Sequence, residues 1–376
     1  MFFSKPNSYL GIDIGAGGVK VVELKKEKNR PVLFTYGFTS TQQDIHRLLP
    51  SKEKNIGELR GKDAPAAIDE NLGEPQVKKY ADLLKQVCAL AKTVSKNAVV
   101  SIPVSAVFHA VVNLPPVDKK DVDHILKAEV AKLLPRPLEE MSLDYQALPP
   151  DPATKNLKFV INAVPRELVI FYTKVFQKAG LVLAALEPES TALSRSLMGR
   201  DAGVSLIIDL GAERTNFFII ENGAPMTHHS IEVGGNKIDR LLSDAWGVDE
   251  SLVGQLKYDL FAKLIYGSQN DSESKKILEI LMPVIDPIVK EIEYSFDVYF
   301  RQTGNETKRP EKIILTGGAA FMPFLTQHLA ETFKIKCYLG DPWGRVVYQE
   351  GLKPVLGKIG PRLAVAIGLA MRNIVG

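Results

Sequence analysis

Two short stretches, Asp13-Ile14-Gly15-Ala16 and Asp209-Leu210-Gly211-Ala212, repeat one order of residue types half a chain apart. Each ends one apolar run and opens another: Gly11 to Leu24 reads GIDIGAGGVKVVEL, and Ile207 to Ile220 reads IIDLGAERTNFFII. The pattern predicts a strand, a tight turn and a return strand. Glycine lets the backbone approach a ligand because no Cβ stands in the way. Turn N–H groups aimed at one point form a nest that suits phosphate. A carboxylate at the strand end is placed to hold a divalent cation, or its waters, beside that phosphate. One such hairpin is more often a plain turn than a site; two at matched positions predict two related halves gripping one nucleotide. A third glycine turn, Thr316-Gly317-Gly318-Ala319-Ala320, follows the apolar Lys312 to Leu315 and offers a flat backbone surface to a base or ribose.

The hairpins need strands beneath them. Tyr9 to Ile14, Val19 to Lys25 and Val32 to Phe38 read as three successive strands. Residues 41–76 are rich in charge, Gly and Pro, and read as a mostly irregular connection. Val77 to Thr93 carries Leu83, Leu84, Val87, Leu90 and Ala91 on one helical stripe, and Ala98 to Ile102 is a strand. A strand at Val107 to Leu114, a helix capped by Asp118, a hairpin of Met141 to Leu148 with Leu157 to Val164, and a helix at Arg166 to Ala179 form a small α+β block inserted in the first half. Leu133 and Leu134 are expected in its core.

Leu181 to Leu186 returns to the first half, and Glu187-Pro188-Glu189-Ser190 is expected to open a helix. The second half repeats the three strands, with Asn222-Gly223 as a turn and Met226 to Val233 as the third. Gly234-Gly235-Asn236 then precedes a helix. Residues 249–275 read as helical with a polar break near Gly267 to Ser274. Pro283 and Pro287 predict a kink, or two helices, between Ile277 and Thr303. Cys337 to Leu339 is a strand, and a helix from Pro361 to Asn373 closes the chain.

The 376 residues are enough for two core-bearing domains. Lys+Arg 47 against Asp+Glu 44 is too balanced to favour nucleic acid or an anionic membrane as partner. No apolar run is expected to reach the ~18 residues of a membrane span, and the N-terminus shows no signal-peptide pattern. The two cysteines read as reduced core thiols. His228-His229 reads as a surface or cross-strand pair, without metal-ligand spacing around it.

The three glycine turns in this order resemble the actin-like ATPase superfamily: Asp13 to Lys20 matches its first phosphate motif, Asp209 to Asn216 its second, and Thr316 to Ala320 its adenosine motif. A closer resemblance, over essentially the whole chain, is to the PilM family of type IV pilus assembly proteins. It rests on LGIDIGAGGVKVVEL (Leu10 to Leu24), EVAKLLPRPLEEMSLDYQ (Glu129 to Gln146), FVINAVPRELV (Phe159 to Val169), LIIDLGAERTNFFII (Leu206 to Ile220), DPWGRV (Asp341 to Val346) and GPRLAVAIGLAMR (Gly360 to Arg372).

The resemblance implies an α/β actin-like fold. Two duplicated ribonuclease-H-like core domains would span 1–102 with 181–203, and 204–376, the latter including a helical subdomain at about 237–305. The α+β subdomain at 103–180 would be inserted in the first. It implies ATP and magnesium as ligands. Asp13 and Asp209 would hold Mg²⁺ through water. Gly15, Ala16, Gly17, Gly18, Gly211 and Ala212 would line the phosphates, with Lys20 supplying charge. Glu213, Thr215, Asn216, Gly234, Gly235, Lys257, Gly317, Gly318 and Ala319 would complete the nucleotide contacts, and Glu187 would be the water-orienting acid. Two departures stand out: the first turn, Ala16-Gly17-Gly18, has no hydroxyl, and Gly254 stands three residues before Lys257, where the family often has Glu.

The implied role is that of a cytoplasmic clamp at the inner face of the membrane. It would bind the N-terminal cytoplasmic tail of the inner-membrane protein PilN, in a groove between the inserted subdomain and the first core domain, and through it link PilO and the motor ATPases. The exposed face of the 118–134 helix and the loop Pro135 to Glu140 are the candidate docking region. An FtsA-like division protein and a small-molecule kinase of the same superfamily, with Glu187 or Glu189 as base, are the alternatives.

Overall fold

A computed structural model describes residues 8–40, 43, 73–150, 155–199, 201–250, 252–254, 256–257, 261, 264, 272–302 and 304–375. Apart from their ends, the connection expected at 41–76 and the break expected near Gly267 to Ser274 lie outside the described residues.

The chain divides into two compact units, Met1–Glu189 with Leu369–Gly376, and Ser190–Gly368. This division falls before the 203/204 boundary expected from the sequence, and it returns the last residues to the first unit. The first unit opens with β1 (Ser8–Gly15), β2 (Gly18–Glu27) and β3 (Arg30–Phe38), followed by α1 (Glu74–Leu90) and β4 (Asn97–Ile102). β5 (Phe108–Leu114), α2 (Lys119–Leu133), β6 (Met141–Leu148), β7 (Leu157–Pro165) and α3 (Arg166–Ala179) come next, and β8 (Val182–Pro188) leads into the short α4 (Glu189–Leu193).

Its main sheet has the order β3-β2-β1-β4-β8. β1 pairs antiparallel with β2 and parallel with β4, and β4 runs parallel to β8. Leu10, Ile12, Val19 and Val21 are fully buried in one core with Leu84 of α1 and Val100 of β4. Burying each such side chain contributes roughly 1.5–3 kcal/mol.

The second sheet of this unit is three-stranded, β5-β7-β6, with both neighbours antiparallel to β7. Leu126 and Val130 of α2 cover one face against Val112, Phe159 and Ile161. α3 packs elsewhere: Phe171, Tyr172, Val175 and Phe176 join the core of the main sheet, with Tyr80 of α1 edge-on to Phe171. Asp118 stands at the N-terminus of α2, but its side chain makes no cap hydrogen bond, contrary to expectation; it lies 3.9 Å from Lys120. Leu133 is 52% exposed rather than core, while Leu134 packs against the subdomain core as expected.

The second unit repeats the architecture. β9 (Ser205–Leu210), β10 (Thr215–Glu221), β11 (Ala224–Ile231), β12 (Lys312–Thr316) and β13 (Lys336–Leu339) form a sheet of order β11-β10-β9-β12-β13. The antiparallel triplet and the two parallel neighbours match the first sheet strand for strand. α5 (Gly235–Trp246), α6 (Ser272–Phe300), α7 (Leu325–Phe333) and α8 (Lys353–Met371) are its main helices.

Three expectations change here. α6 is one helix rather than two across Pro283 and Pro287, sustained by a buried stripe of Leu281, Val284, Ile285, Ile288 and Ile292. α8 begins eight residues before Pro361, which sits inside it. Glu187 and Pro188 end a strand rather than open a helix. In addition, Glu350–Met371 is long and apolar enough to cross a membrane by length and composition, though no such run was expected; 67% of its apolar 18-residue window is buried within the structure.

Candidate functional site

In the first unit the chemistry gathers where β1, β4 and β8 end. Asp13 stands opposite Lys20 in the β1–β2 ladder, and Ser101 stands opposite Glu187 in the β4–β8 ladder. Lys20 Nζ lies 3.0 Å from Asp13 Oδ2, and Ser101 donates to Asp13 Oδ1 at 2.8 Å. Glu187 Oε1 accepts from Arg372, just past α8, at 2.5 Å. Lys20, Asp13, Ser101 and Glu187 therefore form one polar row across four strands. Asp13 and Glu187 are both buried. The carboxyl ends of parallel strands are where open α/β sheets take ligands.

The turn that overhangs this row is fixed by backbone. Gly15 pairs with Gly18, leaving Ala16 and Gly17 at the tip. Gly18 has φ +115, and a Cβ there would collide with the carbonyl of Thr39. Gln43 N–H donates to the Ala16 carbonyl at 2.9 Å, and Thr39 Oγ1 accepts from Val19 N–H at 3.1 Å. A Cβ on Gly15 would sit 2.8 Å from Lys20 Nζ, so a side chain there would push the ammonium aside. Tyr172, fully buried, has a hydroxyl with no hydrogen-bond partner among the described residues. Burial foremost, and the neighbouring Tyr80, Glu189 and Asp13, push its pKa up.

In the second unit Asp209 stands opposite Asn216 in the antiparallel ladder and Thr316 in the parallel one. Asn216 thus takes the place of Lys20, and Thr316 that of Ser101. The turn closes through Gly211 N–H to the Arg214 carbonyl at 2.9 Å. Gly235 and Asn236 N–H donate to the carbonyls of Gly211 and Ala212 at 2.9 and 2.8 Å. A Cβ at Gly234 would meet the Ala212 carbonyl oxygen at 2.5 Å. Gly234 and Gly235 thus let α5 close on the turn.

Gly317, φ +94, lies against Leu210 and Asp209: a Cβ there would be 2.5 Å from Asp209 Oδ1. Ala319 N–H donates to the Leu210 carbonyl at 3.0 Å, and Gly317 N–H and Thr316 Oγ1 donate to the Pro361 carbonyl of α8 at 3.0 and 3.1 Å. Thr215, buried, donates to the Val233 carbonyl at 2.6 Å. Asp209, Gly211, Ala212, Gly234, Gly235, Gly317 and Ala319 are therefore brought together. Glu213 is half-buried, its neighbour Arg214 pairing with Glu232. Gly318 faces the stem of Arg362, whose pKa is lowered by burial. Lys257 is paired with Asp239 of α5, and a Cβ at Gly254 would meet nothing within 4 Å.

The glycines let backbone close tightly around each turn, and the Lys20 ammonium beside Asp13 is the cation that suits a phosphate there. Among the described residues no group of three or more His, Cys, Asp and Glu is placed to hold a metal. A magnesium ion at Asp13 or Asp209 would accordingly take most of its ligands from water and phosphate, as that ion commonly does. Ser101, Asp239 and Arg372 were not singled out from the sequence. A short hydroxyl closing the apolar run Asn97–Ile102 is the only local sign of Ser101; Arg372 lies 185 residues from its partner.

Comparison with known proteins agrees with this architecture. Similarity to the curated cell division protein FtsA of Borreliella burgdorferi is 24% identity over 176 residues, 43% of this chain and 41% of that one. The chain thus spans about two fifths of the length of the curated relative it matches. A solved structure described as a PilM-PilN type IV pilus biogenesis complex superposes with TM-score 0.75 at 21% identity, covering 98% of this chain and 99% of that one. The ethanolamine utilization protein EutJ from Carboxydothermus hydrogenoformans superposes at 0.52, with 13% identity over 98% and 91%. These likenesses give an actin-like fold. The family model for type IV pilus assembly protein PilM matches residues 64–374, so the chain belongs to the PilM family.

Proposed function

We propose that this member of the PilM family works as a nucleotide-binding adaptor in type IV pilus assembly. The observation that carries the reading is the row Lys20–Asp13–Ser101 under a glycine turn, repeated in form by Asp209 and Gly317. ATP is the ligand. In the first unit backbone N–H groups of the hairpin meet phosphate, Lys20 adds a point charge and Asp13 holds the waters of a magnesium ion; in the second unit Asp209 and its glycine turn offer the same kind of contact. Bound nucleotide contributes a polyanion whose charge these groups neutralise.

The protein partner is the N-terminal cytoplasmic tail of PilN, with PilO and the motor ATPases reached through it, and the working location is the cytoplasmic face of the inner membrane. Support comes from the solved PilM-PilN complex to which this fold is similar, and from the small subdomain. Leu133, 52% exposed on α2, offers an extended peptide an apolar anchor, and β5 and β6, the outer strands of their sheet, are where an added strand would lie.

The test is calorimetric titration with a synthetic PilN N-terminal peptide, with and without Mg-ATP. Micromolar binding that tightens with ATP is expected. Binding indifferent to ATP would leave an adaptor whose nucleotide is structural, and no binding in either state would end the adaptor reading.

A further inference from the structure

We propose that Arg372 is a brake on nucleotide turnover, built into the end of the chain. The inference rests on the reading above that the hairpins bind ATP; it concerns what happens to that ATP afterwards. Hydrolysis forms a bond from a water oxygen to the γ-phosphorus and breaks the bond from that phosphorus to the β–γ bridging oxygen. The water's proton passes to an acceptor, and ADP and inorganic phosphate leave. The row holds two carboxylates that could orient that water or take its proton. Both already have a cation from this chain. Asp13 is held by Lys20 at 3.0 Å and by Ser101 at 2.8 Å. Glu187, the carboxylate at the far end of the row, is held by Arg372 at 2.5 Å.

The second pair is a firm one. The Glu187 side chain is 8% exposed and that of Arg372 39%, so the carboxylate is shielded while the guanidinium keeps one side in water, and charge-assisted hydrogen bonds are about twice as strong as neutral ones. Arg372 is not on a loose tail. Leu369, Ala370, Met371 and Ile374 around it are buried, and Arg372 N–H and Ile374 N–H donate to the carbonyls of Leu369 and Met371. The guanidinium is therefore delivered to Glu187 by anchored backbone. A carboxylate so engaged offers a water molecule a fixed, partly occupied face. The expected behaviour is long residence of intact ATP, suited to a protein whose bound nucleotide holds a shape.

Single-turnover decay of bound ATP, read alongside ATP affinity, tests this in the full chain. Arg372→Gln is expected to raise the hydrolysis rate at least tenfold, and by no more than the ~10²–10⁴-fold that a fully freed acid–base group supplies, with ATP affinity changed less than about twofold. Arg372→Lys, which restores a cation, is expected to bring the rate back towards wild type, and Arg372→Gln combined with Glu187→Gln to lose the gain. Where Arg372→Gln is poorly folded by its melting curve, Arg372→Met, which keeps the aliphatic stem, takes its place. If both proteins bind ATP and the rate is unchanged or slower in the variant, Arg372 is no brake. If wild type and variant alike bind no ATP, the nucleotide reading itself fails and this inference with it.

Discussion

Gly317 and Gly254 are both glycines that the sequence associates with the adenosine end of the site, yet they are physically opposite. Gly317 has φ +94 and rests its bare Cα against the Leu210 carbonyl and the Asp209 carboxylate. Alanine there must adopt a left-handed conformation and displace backbone, a cost of about 1–3 kcal/mol from the strain alone. Gly254 is helical and exposed, with free space where a Cβ would go. Alanine there is expected to stabilise by about 0.5–1 kcal/mol, the helix-propensity difference. Urea unfolding of Gly317→Ala and Gly254→Ala should move the midpoint in opposite directions; a shared direction would mean that backbone conformation does not distinguish them. The glycine turns were legible because glycine and aspartate announce a close approach locally. The Glu187–Arg372 pair was not, because nothing local to either residue points to a partner 185 positions away.

At the scale of elements, strands were read well and prolines poorly. The three strands of each half alternate or run apolar as buried strands do, and their observed bounds differ by a few residues. The prolines were given their local meaning, a stop or a kink. In α6 a stripe of fully buried aliphatics holds the helix through Pro283 and Pro287, outweighing a local cost of ~3 kcal/mol for each proline. In α8 Pro361 serves tertiary structure, its carbonyl receiving Gly317 and Thr316.

The packing of α6 on β11 also sets a pH response. His229 of β11 lies 3.9 Å from Glu291 of α6 and edge-on to Tyr294. Burial lowers the His229 pKa from 6.5, so below that pH the unfolded chain takes a proton that the folded chain refuses. The stability from this histidine is therefore complete above about pH 6.5 and declines as pH falls through the window beneath it. Glu291 is raised from 4.5 by burial and acts in the opposite sense, losing stability as pH rises above its ordinary value. Urea midpoints of wild type and His229→Gln, compared between pH 7.5 and 5.5, isolate the first effect: the variant should show the shallower decline.

Across the whole molecule, one five-stranded sheet is made twice, with identical order and strand directions. This was legible because the repeat is carried by short motifs, Asp-x-Gly-Ala, that sit at the same strand end in both copies. The copies are not equal in charge. The position opposite the aspartate is Lys20 in the first and Asn216 in the second, so the cation paired across the ladder from the aspartate belongs to the first copy. Duplication alone is compatible with one working copy and one that is only architecture. Ligand linkage separates these cases. A nucleotide at a hundred times its Kd stabilises the form that binds it by roughly 2.7 kcal/mol, which for units of this size is a shift of roughly 5–10 °C in Tm. Wild type with Mg-ATP should show such a shift, and Asp13→Ala and Asp209→Ala should each reduce it to less than about a third. A full shift retained by Asp209→Ala, with the loss confined to Asp13→Ala, would mean that the second hairpin keeps its glycines for α5 and α8 to close upon. The repeated sequence would then record how the fold is built rather than how ATP is held.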